Sequence, residues 1–204
     1  MTPAPLSPGF SHPVFDAQVT FRQLLHALAH PGRIYSLDLS LDAPLGLDRA
    51  TAAACLCLLD LETSLWMDPH FSPEVLRWLI FHTGCHVSPD RFPSEPTEAG
   101  GVPHTFALLS TPPPRLADFN MGTAEYPESS TLLLIQVPDL EQGLPVQLQG
   151  CGILSQETIA PQVPVHFWED WQAKPAFPLG VDVFFFAKNR LMGLPRTIAV
   201  SFVH

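Results

Sequence analysis

The chain has 204 residues, 46% of them hydrophobic and 15% charged, which is enough apolar material for one domain with a substantial core and too little length for two. Twenty acidic residues against ten basic ones leave a net charge of -10, which argues against a general binder of nucleic acid or anionic membrane, because both need a cationic surface. The longest apolar runs, residues 132–137 and 183–187, fall far short of the roughly 20 residues that span a bilayer, and no basic N-terminal region precedes an apolar one, so a single cytoplasmic domain over residues 1–204 is expected.

The first ten or so residues, with Pro3, Pro5 and Pro8, read as a loose arm. A helix should start at Pro13, a good first-turn residue, and stop at Pro31-Gly32. Its apolar positions 14, 17, 21, 24, 25 and 28 fall on one face. Arg22 lies beside that stripe, after Asp16 and Gln18, and its fork turns either toward a ligand cleft or into a structural ion pair. On the opposite side His26 and His30 stand at i, i+4, a spacing that suits a transition metal and equally a solvated or subunit-facing pair.

A strand is expected over 33–39, then a helix over 48–60 capped by Asp48, in which Cys55 and Cys57 pack as small hydrophobes. A strand at 64–67 leads to a helix at 73–82, with Ser72 as cap and Pro73 in its first turn. His82, Cys85 and His86 follow at the helix stop, before a short strand, as a second possible metal cluster or as structural residues. Cysteines 55, 57, 85 and 151 have no disulfide-framework spacing and should be reduced. Residues 89–103, rich in proline and glycine, read as a long surface loop.

Strands are expected at 104–110, 131–137 and 145–149. Between the first two, Glu125 in the turn-rich run Gly122 to Pro127 is either a cleft carboxylate or a solvated loop acid. Gly150-Cys151-Gly152 looks like part of a dinucleotide loop, but Ser155 takes the third glycine position, so a turn needing positive φ is the better reading. A helix over 164–173 carries Phe167, Trp168 and Trp171, which would form a docking surface if solvated. Strands at 181–187, 190–194 and 197–203 close the chain, the first two as a hairpin turning at Lys188-Asn189-Arg190. Asp182 and Arg196 should then face each other near one end of that hairpin, either as a structural pair or as ligand contacts.

The mixture of elements means an α/β sandwich, with helices covering a mixed sheet. There is no Gly-x-x-x-x-Gly-Lys phosphate loop and no Gly-x-Ser-x-Gly elbow. A pyridoxal enzyme needs a lysine for its Schiff base, and the chain has only Lys174, beside Trp171 at a helix end, and Lys188 in the hairpin turn.

Several short motifs occur in order along the chain. They are Pro13-Val14-Phe15-Asp16-Ala17-Gln18 with Phe21-Arg22, Pro31-Gly32, Phe81-His82-Thr83, and Gly122-Thr123-Ala124-Glu125-Tyr126-Pro127-Glu128. Gly150-Cys151-Gly152-Ile153, Ile159-Ala160-Pro161-Gln162, Phe177 to Asp182 and Leu194-Pro195-Arg196-Thr197 follow. In this order they resemble the PhnH family, the H subunit of the carbon-phosphorus lyase system, over nearly the whole chain. The family commonly has proline at position 151, and Cys85 and His86 replace residues that are not usually metal ligands.

The resemblance implies a three-layer α/β sandwich with a mixed sheet, similar to the fold of pyridoxal-phosphate-dependent transferases but without that cofactor, and with no other cofactor or metal. It also implies a homodimer when isolated. In the cell it implies a subunit that helps build the complex making α-D-ribose 1-methylphosphonate 5-triphosphate from an alkylphosphonate and a nucleoside triphosphate. The implied partners are PhnG-, PhnI- and PhnJ-like subunits, with base displacement ascribed to the I subunit. Two other readings stand beside it: a stand-alone enzyme or binder with a cleft of Arg22, Glu125, Asp182 and Arg196, and a metal-dependent hydrolase using the histidine clusters.

Overall fold

The computed structural model describes residues 6–88 and 104–203. The loop expected at 89–103 and the first five residues of the expected arm lie outside the described residues. Among the described residues there are four α-helices and ten strands, the strands forming two sheets. The helices are α1 (Pro13–Ala29), α2 (Arg49–Leu58), α3 (Pro73–Thr83) and α4 (Val165–Ala173). The strands are β1 (Ile34–Ser36), β2 (Ser64–Met67), β3 (His86–Ser88), β4 (Phe106–Leu109), β5 (Leu132–Gln136), β6 (Val146–Gln149), β7 (Glu157–Ile159), β8 (Asp182–Ala187), β9 (Arg190–Leu194) and β10 (Ala199–Phe202).

The main sheet has seven strands in the order β1-β9-β8-β5-β4-β2-β3, and β8, β5, β4, β2 and β3 run parallel. Its inner strands read as unbroken apolar runs because both faces are covered. In β8, Val183, Phe185 and Ala187 enter the core on one face while Phe184 and Phe186 enter the core on the other. Helices α1, α2 and α3 contribute the second of these cores through residues such as Leu24, Ala27, Ala53, Trp78 and Leu79. Over the opposite face lie α4 and a small antiparallel sheet, β10-β6-β7, whose Val146, Leu148, Ile159 and Val200 join Phe167, Trp168 and Trp171. The chain is therefore α/β with a mixed sheet covered on both faces. Among the described residues no helix is long and apolar enough to cross a membrane.

Two glycines set the close approaches. A Cβ on Gly193 of β9 would stand 2.6 Å from the backbone of Ala27, so α1 lies directly on the strand there. Gly152, at φ +88°, would bring a Cβ to 2.4 Å from the Ala29 carbonyl oxygen, which presses the end of α1 against the turn after β6. The turn reading of Gly150 to Gly152 is thus the one the backbone adopts, with positive φ at both glycines.

Four expectations need correction. The buried face of α1 is Thr20, Leu24 and Ala27, whereas Val14, Phe21 and Leu25, assigned to the core stripe, are exposed at 79%, 52% and 57%. The helix carries two apolar stripes, and only the one facing β9 and α2 is covered. Phe167, Trp168 and Trp171 are not a solvated surface: all three are buried, with Phe167 and Trp171 packed at 6.2 Å between ring centroids. Residues 6–10 are not a loose arm, because Leu6 and Phe10 pack on the helical core and the Ser7 carbonyl accepts from Trp78 Nε1 at 2.9 Å. Finally, Asp48 sits at the cap position of α2, but its carboxylate accepts the Lys188 amide at 2.8 Å instead of capping the helix.

Candidate functional site

Asp182 opens β8, and Arg196 follows β9 by two residues, after a proline that stiffens its approach. The hairpin register, with Val183 opposite Leu194, brings them to the same end of the pair. Asp182 accepts the Arg196 amide at 2.7 Å, and both of its oxygens face the guanidinium, with Arg196 Nη2 at 2.6 Å and Nε at 3.2 and 3.3 Å. The remaining fork is used as well. Nη1 donates to the Pro127 carbonyl and Nη2 to Ser130 Oγ, each at 2.6 Å.

A guanidinium has five N–H donors in a fixed plane. In this arrangement Nε–H and both Nη2 hydrogens are committed, with one of the two on Nη1, so a single donor remains. The group is also largely enclosed, with side-chain exposures of 13% for Arg196 and 24% for Asp182. Chemically, this is a staple that ties the loop Gly122 to Ser130 to the hairpin end. It explains why the runs 122–128, 177–182 and 194–197 form one set of motifs: they meet at this junction.

The other two cleft candidates stand apart from the staple. Glu125 is exposed in the stapled loop, two residues from Pro127. Arg22 is exposed on α1. Neither makes a hydrogen bond or ion pair with Asp182 or Arg196, so the structure brings together two of the four residues.

Beside the staple, a groove of about 470 Å³ is lined by Trp171, Lys174, Phe177, Arg196 and residues 197–200. Lys174 Nζ donates to the Ile198 carbonyl at 2.8 Å and sits 4.0 Å over the Trp171 ring. Burial pushes its amine down to about 8, although the Asp182 charge acts in the other direction. Lys174, at the end of α4, thus ties that helix to the segment between Arg196 and β10.

His26, His30 and His82 each make local contacts, while His86 is exposed. His30 Nδ1 meets the His26 carbonyl at 3.1 Å, and His26 stacks on Tyr35 at 6.2 Å. His82 Nε2 lies 3.0 Å from the Ser7 carbonyl, against Trp78 at 4.8 Å, so it pins the segment before α1. Among the described residues no three His, Cys, Asp or Glu side chains converge on a metal position. Cys55 and Cys85 are buried, and Cys57 donates to the Ala17 carbonyl at 3.4 Å.

One polar constellation escaped the sequence reading. Asp68, directly after β2, is buried, and its Oδ2 accepts the amide and hydroxyl of Ser110, directly after β4, at 3.2 and 2.5 Å. Its Oδ1 accepts the amide of His70 at 3.0 Å and faces that ring's Nδ1 at 2.7 Å. Burial pushes the Asp68 carboxyl up, but the bonds from Ser110 and His70 outweigh it and hold the group below its ordinary value. The only local signal was the position of an acid and a hydroxyl just past two strands.

A model of the family described as bacterial phosphonate metabolism protein (PhnH) matches residues 8–201. The chain is 37% identical to the α-D-ribose 1-methylphosphonate 5-triphosphate synthase subunit PhnH of Rhizobium meliloti (strain 1021), across 94% of this chain and 93% of that one. It is 26% identical to the putative C-P lyase subunit protein HtxG of Stutzerimonas stutzeri, across 90% and 85%.

Proposed function

The chain belongs to the bacterial phosphonate metabolism family PhnH, and from that membership we propose that it is a subunit of the carbon-phosphorus lyase core complex, the α-D-ribose 1-methylphosphonate 5-triphosphate synthase of phosphonate catabolism. The observation that carries this reading is the match to the Rhizobium subunit along nearly the whole of both chains. Its role is assembly of the complex in the cytoplasm, with PhnG-, PhnI- and PhnJ-like subunits as partners and a homodimer when these are absent.

Two features support an assembly role. Arg196, the best placed cation of the candidate cleft, has one donor left for an anion, so Arg22, Glu125, Asp182 and Arg196 do not form a common ligand-binding set. And α1 presents Val14, Phe21 and Leu25 at i, i+7 and i+11, flanked by Phe15 and Val19, all exposed. Large side chains aligned in this way on a helix whose other face is already packed suit a protein partner. The same reading takes the main sheet as similar to that of the pyridoxal-phosphate-dependent transferases, working without pyridoxal phosphate.

Co-purification with G-, I- and J-type subunits, followed by base release from ATP in the presence of methylphosphonate, tests the proposal. A complex that loses integrity or activity when this chain is omitted supports it. Absence of association, with nucleotide bound by this chain alone, overturns it.

A further inference from the structure

The groove beside the staple lies between the end of α4 and the edge of the small sheet. Strand β10 pairs with β6 on one side only, and α4 closes the other side. Trp171 Nε1 and Lys174 Nζ donate to the Ile198 carbonyl at 2.9 and 2.8 Å, and Gln172 Nε2 donates to the Val200 carbonyl at 3.0 Å. Edge carbonyls satisfied in this way offer little to an added strand, so the groove suits a small molecule and not an extended peptide. Its volume of about 470 Å³ falls in the usual range of small-ligand sites, about 300–1,000 Å³.

The walls divide into an apolar side and a cationic one. Pro175, Ala176, Phe177, Ile198, Ala199 and Val200 form the first, with Phe177 69% exposed. Arg196 and Lys174 form the second. The Arg196 charge is matched by Asp182. Lys174 is half-buried and, among the described residues, has no ion pair. No acid lines the groove. Strand β10 contains none, Glu169 and Asp170 of α4 stand outside the wall, and Asp170 accepts the Leu116 amide. Asp182, whose charge reaches Lys174, sits on β8 and is committed to Arg196. A charge withdrawn from water is costly unless it is paired, and burial accordingly pushes the Lys174 amine down. An ammonium has three donors, and the Ile198 carbonyl takes one of them.

We propose that this groove binds a small monocarboxylate with an apolar tail, the carboxylate accepting from the remaining Lys174 donors and the tail lying along Phe177 and the edge of β10. Charge decides the class. Arg196 and Asp182 cancel, so one positive charge is left over, which a monoanion offsets. A phosphate dianion brings more charge than the groove matches, and a neutral molecule leaves the ammonium unpaired. The site stands apart from the assembly reading, because α4 belongs to the core on one face of the main sheet and α1, with its exposed stripe, to the core on the other.

Titration of the full chain with hexanoate, hexanol and inorganic phosphate, followed by NMR, tests this. Hexanoate is expected to bind about tenfold more tightly than hexanol, the worth of a hydrogen bond to a charged group, and more tightly than phosphate. Lys174→Met keeps the stem and removes the charge, so it should weaken hexanoate about tenfold and leave hexanol unchanged. Hexanoate affinity should fall as pH rises past about 8, where the ammonium loses its proton, and that fall should vanish in Lys174→Met. Since Lys174 also holds the Ile198 carbonyl, Phe177→Ser, at an exposed position, serves as a second variant. It should weaken hexanoate and hexanol alike without lowering the melting temperature. No binding of hexanoate, equal affinity for hexanol, tighter binding of phosphate, or full hexanoate affinity in either variant overturns the proposal.

Discussion

Replacing Arg196 by methionine separates a structural staple from a ligand contact. The substitution keeps most of the apolar stem and removes the head, which leaves the Asp182 carboxylate, the Pro127 carbonyl and Ser130 Oγ without their shared partner. Breaking a buried pair costs about 3–5 kcal/mol and an exposed one about 1 kcal/mol or less. With side-chain exposures of 13% and 24%, this pair lies between the limits but nearer the buried one, so about 2–3 kcal/mol is expected. In a domain of this size each kcal/mol moves the melting temperature by about 2–4 °C, which predicts a loss of about 4–12 °C by calorimetry. Urea unfolding supplies the free energy independently, and a double-mutant cycle with Asp182→Asn should return a coupling above about 1 kcal/mol. A variant within 0.5 kcal/mol of the parent that nevertheless loses binding of an anionic ligand would refute the staple and restore Arg196 to a site.

Four further outcomes follow from the same contacts. Gly193→Ala forces a Cβ to 2.6 Å from the Ala27 backbone, and should cost about 1–3 kcal/mol in urea unfolding as α1 is levered off β9. Phe21→Asp together with Leu25→Asp should leave the melting temperature of the chain nearly unchanged, since both side chains are exposed, while abolishing co-purification with partner subunits. Burial pushes the thiols of Cys55, Cys57 and Cys85 up, Cys57 to about 11, from an ordinary value of 9.0. Raised folded values mean stability that is present below pH 9 and lost as pH climbs through them, so unfolding free energy should fall above pH 9, and less steeply in Cys57→Ala. Asp68 has the opposite sign: its folded value is lowered, so its contribution is present above about pH 4 and lost as pH falls through the folded value, an acid loss that Asp68→Asn should remove.

What could be read from the sequence depended on whether the signal was local. Ser72 and Pro73 mark the start of α3 because capping is a contact between near neighbours, and the Ser72 hydroxyl does accept the Val75 amide. The run 183–187 shows a strand covered on both faces because every residue in it is apolar. Strand β7 was missed because Glu157 and Thr158 are exposed and polar, on the outer strand of a three-stranded sheet. The α1 face was misassigned because two apolar stripes on one helix cannot be ranked by period alone; Gly193, at residue distance, decides which of them is covered. Asp68 and Ser110 showed only as an acid and a hydroxyl just past two strands, and nothing local paired them, since β2 and β4 become neighbours only when the sheet forms. The Asp182 and Arg196 pairing was legible from the hairpin, but its saturation by Pro127 and Ser130 was not, because those acceptors come from a distant loop.

The edge strand β1 sets a timetable for the newborn chain. Its hydrogen-bonded neighbour is β9, with Ile34 opposite Met192, so the first strand made is completed by almost the last one. At about 5–20 residues per second of synthesis, Ile34 is out for roughly 8–30 s before Met192 exists. Throughout that interval α1, which rests on β9, has neither of its apolar stripes covered by the sheet. Until β9 is made, the apolar face that α1 lays on that strand has no strand to cover it. Closure of the β8–β9 hairpin is the event that ends this exposure, and the length of the wait is written into the strand order.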